Sequence, residues 1–177
     1  MMDKKFKRKI KMEMEHFEQD NRLKIKNQIF VDEITLNQYV KWGALAKIIF
    51  VDCHFEELDL LGKIINSCDF KNCIINNVSF RKCQFSSSRF ESCQIKNSDF
   101  TRAEFDYCTF TKSQFVKSDL RGSCLMDCEF IEPKFIKSRL NPIILMDIKL
   151  LKSNKWNNIK SSFDFKKILK NLGCIEE

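Results

Sequence analysis

From Phe50 to Leu150 a large apolar residue returns at every fifth position. The row reads Phe50, Phe55, Leu60, Ile65, Phe70, Ile75, Phe80, Phe85, Phe90, Ile95, Phe100, and continues without a slip through Phe105, Phe110, Phe115, Leu120, Leu125, Phe130, Phe135, Leu140, Leu145 and Leu150. A period of five fits neither the 3.6-residue turn of an α-helix nor the alternation of a strand. A fixed short period predicts a solenoid, in which each coil buries its inward residues against the coils above and below. A second column lies two residues before each large one and is mostly small: Cys53, Leu58, Lys63, Cys68, Cys73, Val78, Cys83, Ser88, Cys93, Ser98, Ala103, Cys108, Ser113, Ser118, Ser123, Cys128, Pro133, Ser138. The other three columns are mostly polar.

The segments CDFKN (68–72), CQFSS (83–87), SDFTR (98–102), AEFDY (103–107) and SDLRG (118–122) carry this pattern as they stand. In them the chain resembles the pentapeptide-repeat proteins, whose motif is a small residue, a polar one, Leu or Phe, then two polar residues. The resemblance implies an all-β solenoid, a right-handed quadrilateral β-helix with four pentapeptides per coil. Residues twenty apart then stack at the inter-strand spacing, ~4.8 Å. Phe50, Phe70, Phe90, Phe110 and Phe130 are thereby expected to form a continuous aromatic ladder in the core.

Three segments are expected: a non-repeat leader or cap over residues 1–47, the repeat β-helix over 48–150, and a C-terminal segment over 151–177. In the leader, KIKMEMEHF (9–17) and RLKIKNQIF (22–30) read as strands joined by a turn at EQDN (18–21). A helix using Phe6, Ile10, Met14 and Phe17 is the competing reading. TLNQYVKWGALAKIIF (35–50) is expected to lead into the first coil and cover its open end. The first coils are the least regular, with Lys63 in an inward small position and Leu61 and Ile64 where polar residues belong. From Phe70 to Phe135 the repeat is clean except for Pro133. No frame-shifting insertion interrupts that run, although an insertion of a whole number of pentapeptides would leave the frame intact.

After Leu150, SSFDFKKILKNLG (161–173) predicts a short helix with Ser162 or Asp164 as N-cap and Gly173 as its stop. Phe165, Ile168, Leu169 and Leu172 share one face. That face either caps the last coil, covering strand edges that would otherwise be open, or makes a homodimer contact. The second reading comes from resemblance: some gyrase-protecting pentapeptide-repeat proteins end in a similar helix followed by a Leu-Gly or Met-Gly step, which implies dimerisation there.

Charge and chemistry narrow the function. The net charge is +7, but residues 48–150 hold 14 Lys/Arg against 14 Asp/Glu, so the excess sits at the ends. A neutral body is a poor match to a nucleic-acid face, and no direct nucleic-acid contact is expected. The basic cluster Lys4, Lys5, Lys7, Arg8, Lys9, Lys11 reads as a solvated tail, with contact to an acidic partner or a membrane surface as the alternative. The start lacks the apolar core of a secretory signal and no apolar run has transmembrane length, so a cytoplasmic protein without a membrane span is expected. Seven of the nine cysteines fall in the small column, which reads them as reduced buried thiols. Cys53, Cys73 and Cys93 stack, as do Cys108 and Cys128, but three thiols fall short of a tetrahedral zinc site and His16 and His54 do not complete one. No nucleophile stands beside a base and no glycine loop cradles phosphate. Asp59, Asp99 and Asp119 form an outward ladder, read as solvated carboxylates beside Arg81, Lys82, Arg102 and Arg121. No catalytic residue, metal or cofactor is therefore expected.

Function is expected on the outward columns, where apolar residues have no packing task. Val116, Ile131 and Ile136 sit there on two adjoining sides, rimmed by Lys112, Lys117, Glu132 and Lys137, which is how a protein interface is built. On a third side Tyr107, Met126 and Met146 alternate with Asp106, Asp127 and Asp147. The family resemblance implies an immunity or resistance protein that binds a toxin or the toxin's target, DNA gyrase or topoisomerase IV. The alternative is a passive protein-interaction scaffold or targeting module.

Overall fold

The computed structural model describes residues 21–140, 144–159 and 165–176. The chain winds as a parallel β-helix. From His54–Glu56 to Ile144–Met146 each strand is three residues long with the large apolar residue at its centre, as in Gln84–Ser86, Arg89–Glu91 and Gln94–Lys96. The strands are short because the second residue after each core position turns left-handed: Ser87, Ser92 and Asn97 have φ of 48°, 55° and 49°. That residue ends the strand and hands its N–H to the next coil, as Ser92 does to the Thr111 carbonyl at 2.8 Å.

Twenty residues complete a coil, so Phe70 pairs with Phe90 and Phe90 with Phe110. Four faces result. The first carries Leu45, Ile65, Phe85, Phe105, Leu125 and Leu145 inward; the second Phe50, Phe70, Phe90, Phe110, Phe130 and Leu150. The third carries Phe55, Ile75, Ile95, Phe115 and Phe135. On the fourth, Leu60, Phe80, Phe100, Leu120 and Leu140 are buried beside single bridges linking Asp59, Ser79, Asp99, Asp119 and Arg139.

The expected aromatic ladder is present. Ring centroids of Phe50, Phe70, Phe90, Phe110 and Phe130 follow at 5.1, 4.8, 5.1 and 4.8 Å, nearly parallel. Each such pair contributes about 0.5–1.5 kcal/mol beyond its area burial. The small column has a second task besides fitting the corner: it donates hydrogen bonds. The Cys93 thiol donates to the Phe70 carbonyl (3.2 Å), and the Ser113 hydroxyl donates to the Phe90 carbonyl (3.0 Å) while accepting from the Cys93 N–H (3.1 Å). Cys and Ser are interchangeable here because both are small donors. Among the described residues no buried side-chain nitrogen or oxygen lacks a partner.

The solenoid begins earlier than residue 48. Ala44–Ala46 already pairs with Ile64–Asn66 on the first face, and two strands of the leader join the repeat sheets. Leu23–Lys26 pairs in parallel with Ile48–Val51, placing Ile25 on Phe50, and Ile29–Phe30 pairs with His54–Glu56, placing Phe30 on Phe55. These offsets are twenty-five residues rather than twenty. The five extra residues accommodate a helix, α1 (Glu33–Asn37), where later coils have their fourth face. Asp32 caps it by accepting from the Thr35 N–H at 2.7 Å, and Leu36 buries in the core. Residues 22–30 are thus two strands on adjoining faces. The readings for residues 9–17 and the turn at 18–21 lie outside the described residues.

A buried ion-pair clasp ties this first coil to the body. Asp69 is 2% exposed, with one carboxylate oxygen 2.9 Å from Arg22 Nη2 and the other 2.9 Å from Arg89 Nε. Arg22 also donates to the Ser67 carbonyl at 3.2 Å. Burial alone would raise the Asp69 pKa, but the two guanidiniums outweigh it and hold the carboxyl below the usual carboxylate range.

At the other end the chain doubles back. Ile148–Lys152 and Lys155–Ile159 form an antiparallel hairpin on the second face, and Ile175–Glu176 returns to pair with Lys134–Ile136 on the third. Between them lies α2 (Phe165–Asn171). It ends at Gly173, where φ is +66°, the Gly173 N–H reaches the Lys170 carbonyl and the Cys174 N–H reaches that of Leu169. These two bonds are those of a Schellman stop. Leu169 is fully buried within the single chain, and Ile168 and Leu172 pack against the core. Of the expected apolar face, only the Phe165 side chain and the N-cap candidates Ser162 and Asp164 lie outside what is described.

Candidate binding surfaces

The outward residues on either side of each core position are where a partner can be met. Val116 lies directly beside Ile136 on the third face, and Ile131 beside Leu151 on the second. All four are half-buried rather than fully exposed. The position just after each core residue is sheltered by its equivalents one coil away, so these side chains form continuous apolar strips rather than projecting knobs. Lys112, Lys117 and Lys137 are exposed at the corners beside them. Glu132 is engaged: it pairs with Lys152 at 3.3 Å and accepts from the Ser153 N–H at 2.6 Å.

The first face holds a more exposed apolar cluster towards the C-terminal end. Tyr107, Ile144 and Met146 are 62%, 59% and 50% exposed, with Met126 and Cys124 half-buried beside them. Met126 stacks on Met146 and Cys124 on Ile144, and Ile144–Met146 is the outer strand of that sheet. Ile144 belongs to this cluster but escaped the sequence reading, because it precedes a core position while the noted residues follow one. At the other end, Ile34 and Trp42 are almost wholly exposed.

The candidate chemical groups have structural tasks. The outward carboxylates shape turns: Asp59 accepts from the Leu61 N–H, Asp99 from the Thr101 N–H and Asp119 from the Arg121 N–H. Burial raises the Asp119 pKa, but the hydrogen bonds and charge of Arg121 prevail and keep it lowered. All nine cysteines are free thiols. Burial pushes the Cys68 thiol up to about 11 and Cys83 to about 12, so both are protonated near neutrality. Among the described residues no three His, Cys, Asp or Glu side chains converge on a metal position, and no helix is long and apolar enough to cross a membrane. Lys63 is half-buried, its backbone closing the turn onto the Leu60 carbonyl at 3.0 Å.

Residues 44–120 match the family model of the pentapeptide repeat region. That stretch is a pentapeptide-repeat region. No curated protein matches the chain. Among solved structures it is similar to two trypsin-treated variants of QnrB1, a plasmid-mediated fluoroquinolone resistance protein. One is 15% identical over 72% of this chain and 67% of that one, with a TM-score of 0.45; the other is 14% identical over 73% of each, with a TM-score of 0.42. A pentapeptide-repeat protein, Rfr23, from the cyanobacterium Cyanothece 51142 is 12% identical over 75% of this chain and 83% of that one, at a TM-score of 0.21.

Proposed function

We propose that this protein works by binding another protein, as an immunity or resistance factor that occludes a toxin or the toxin's target, DNA gyrase or topoisomerase IV. The observation that carries the reading is the apolar strip of Val116 and Ile136, with Ile131 and Leu151 on the adjoining face, inside a rim of Lys112, Lys117, Glu132 and Lys137. These outward positions have no share in the core ladder, and an apolar centre within a charged rim is the usual anatomy of a protein interface. A preformed β-helix surface binds with little ordering entropy. A homodimer through the C-terminal segment fits this reading only through residues other than Leu169, which is already covered.

The test is affinity capture with the full chain and with Ile131→Asp/Ile136→Asp, followed by challenge of expressing cells with a gyrase-directed toxin. The reading expects a protein partner captured by the wild type and lost, with protection, in the double variant at unchanged circular dichroism. Equal capture by both would move the interface elsewhere, with the Tyr107, Ile144 and Met146 cluster next in line. Capture without protection would leave the scaffold reading in its place.

A further inference from the structure

The turns that carry the chain from the fourth face to the first stack on one another, and their outer sides form a groove. Each turn is closed by an N–H three residues beyond the core residue: Cys83 to the Phe80 carbonyl, Ala103 to Phe100, Ser123 to Leu120. The two central residues of each turn therefore stand away from the body. They are Arg81 and Lys82, Thr101 and Arg102, Arg121 and Gly122, and these six line a groove of about 530 Å³. Four of the six are cations. Arg121 is held by Asp119, its Nη2 2.7 Å from one carboxylate oxygen. Arg81, Lys82 and Arg102 take part in no ion pair among the described residues.

The nearby carboxylates do not neutralise them. Asp99 faces the Thr101 N–H at 2.8 Å, and Asp119 is shared between Arg121 and Arg139. Successive coils are ~4.8 Å apart, so unpaired cations on adjacent turns repel one another across the groove. Lys82 and Arg102 also occupy left-handed positions, at φ of 59° and 58°, where the turns before and after them have Gly62 and Gly122. Gly122 leaves the groove floor low enough for the Arg102 stem, whose Cγ lies 3.5 Å from where a Cβ would be.

We propose that this groove binds a compact oligophosphate, either an inorganic polyphosphate chain or the phosphates of a nucleotide. The guanidinium forks of Arg81 and Arg102 match phosphate oxygens in pairs, and Lys82 adds a point charge between them. Three stacked turns span about 10 Å, the length of a short phosphate chain rather than of a nucleic-acid duplex. Asp59, Asp99 and Asp119 run alongside and oppose any long polyanion laid across the face. No apolar side chain lines the groove, so an acidic peptide finds nothing to bury there, whereas an oligophosphate binds through charge alone.

The test is isothermal titration of the full chain with sodium triphosphate, with ATP and with a hexaglutamate peptide, at physiological salt. The proposal expects saturable triphosphate binding that falls at least about tenfold in Lys82→Gln/Arg102→Gln, at an unchanged melting temperature. Lys47→Gln, at a corner of another face, should bind as the wild type does. Equal affinity for triphosphate and ATP assigns the phosphate chain alone as ligand; tighter ATP binding assigns a nucleotide, and both support the site. Absence of saturable binding, binding indifferent to the double variant, or hexaglutamate binding tighter than triphosphate would each overturn it.

Discussion

The first coil and the coils from Phe70 to Phe135 share one inward ladder but are held in place by different means. In the body, every coil has a neighbour above and below, and aromatic stacks such as Phe70, Phe90 and Phe110 run through it at 4.8 and 5.1 Å. The first coil has one repeat neighbour. It has α1 in place of a fourth-face bridge and relies on Leu36, on the Phe30–Phe55 stack at 4.9 Å, and on the clasp of Arg22, Asp69 and Arg89. Its outer surface differs too: Ile29, Val31, Ile34 and Trp42 are exposed where the body mostly shows polar residues. A solenoid end is thus a place where local devices stand in for stacking, and its stability should part from that of the body.

The largest effect expected lies in the body. Phe90→Ala removes a ring packed on both sides and should cost about 3–5 kcal/mol, lowering the global denaturation midpoint. Leu36→Ala, in the first coil, should instead loosen that coil while the body stays protected in hydrogen exchange, because solenoid coils couple mainly to their neighbours. Outward Gln94→Ala should stay within about half a kcal/mol. A Leu36→Ala midpoint shift as large as that of Phe90→Ala would show one cooperative unit and dissolve the distinction.

The clasp comes next. Asp69→Ala leaves two guanidiniums facing each other over a buried position and should cost about 3 kcal/mol, read as faster amide exchange over residues 23–30. Asp69 has its pKa depressed by Arg22 and Arg89 against the effect of burial. Its contribution is therefore complete at neutral pH, above the unfolded value of ~3.9, and is lost as pH falls through the lower folded value. Wild-type protein should release its first coil only in that acid range, a step that Asp69→Asn lacks. Acid release of residues 23–30 that persists in Asp69→Asn would assign the step to another group.

What was legible in the sequence follows from how strictly each position is constrained. The inward ladder admits only large apolar side chains, so its period survives as an unbroken row from Phe50. The first coil was not legible as repeat because Thr35, inside α1, interrupts the row of large apolar residues and the coil closes after twenty-five residues rather than twenty, although Ile25, Phe30, Val40 and Leu45 keep the frame of five. Asp69 reads as one more outward polar residue, since Arg22 lies 47 positions before it and only the coil brings them together. The strip at Val116 and Ile136 could be placed on its face but not assigned its half-burial, which depends on shelter from the next coil. Arg81, Lys82, Arg102 and Arg121 could be recognised as neighbours, but not as the walls of a groove, because their turns stack only in three dimensions.

A smaller effect than that of the clasp separates the two regions by sign. Trp42 and Gly43 are the two turn residues between Val40–Lys41 and Ala44–Ala46, and both have positive φ, 54° and 76°. Such a two-residue hairpin favours Asn-Gly, because asparagine tolerates the left-handed region that a bulky side chain resists. Trp42 is fully exposed, so nothing in the fold offsets that strain. Trp42→Asn should therefore stabilise the first coil by about 0.5–1 kcal/mol, seen as slower exchange of its amides. In the body a corner with the same left-handed backbone, after the third-face strand Gln94–Lys96, already holds Asn97, at φ 49°, whose side chain donates to Asn76 at 3.0 Å. Asn97→Trp should accordingly destabilise by a similar amount, losing both the tolerant residue and the bond. If Trp42→Asn instead loosens the first coil, the indole has a packing role that its exposure does not disclose, and the contrast between the two regions at their corners fails.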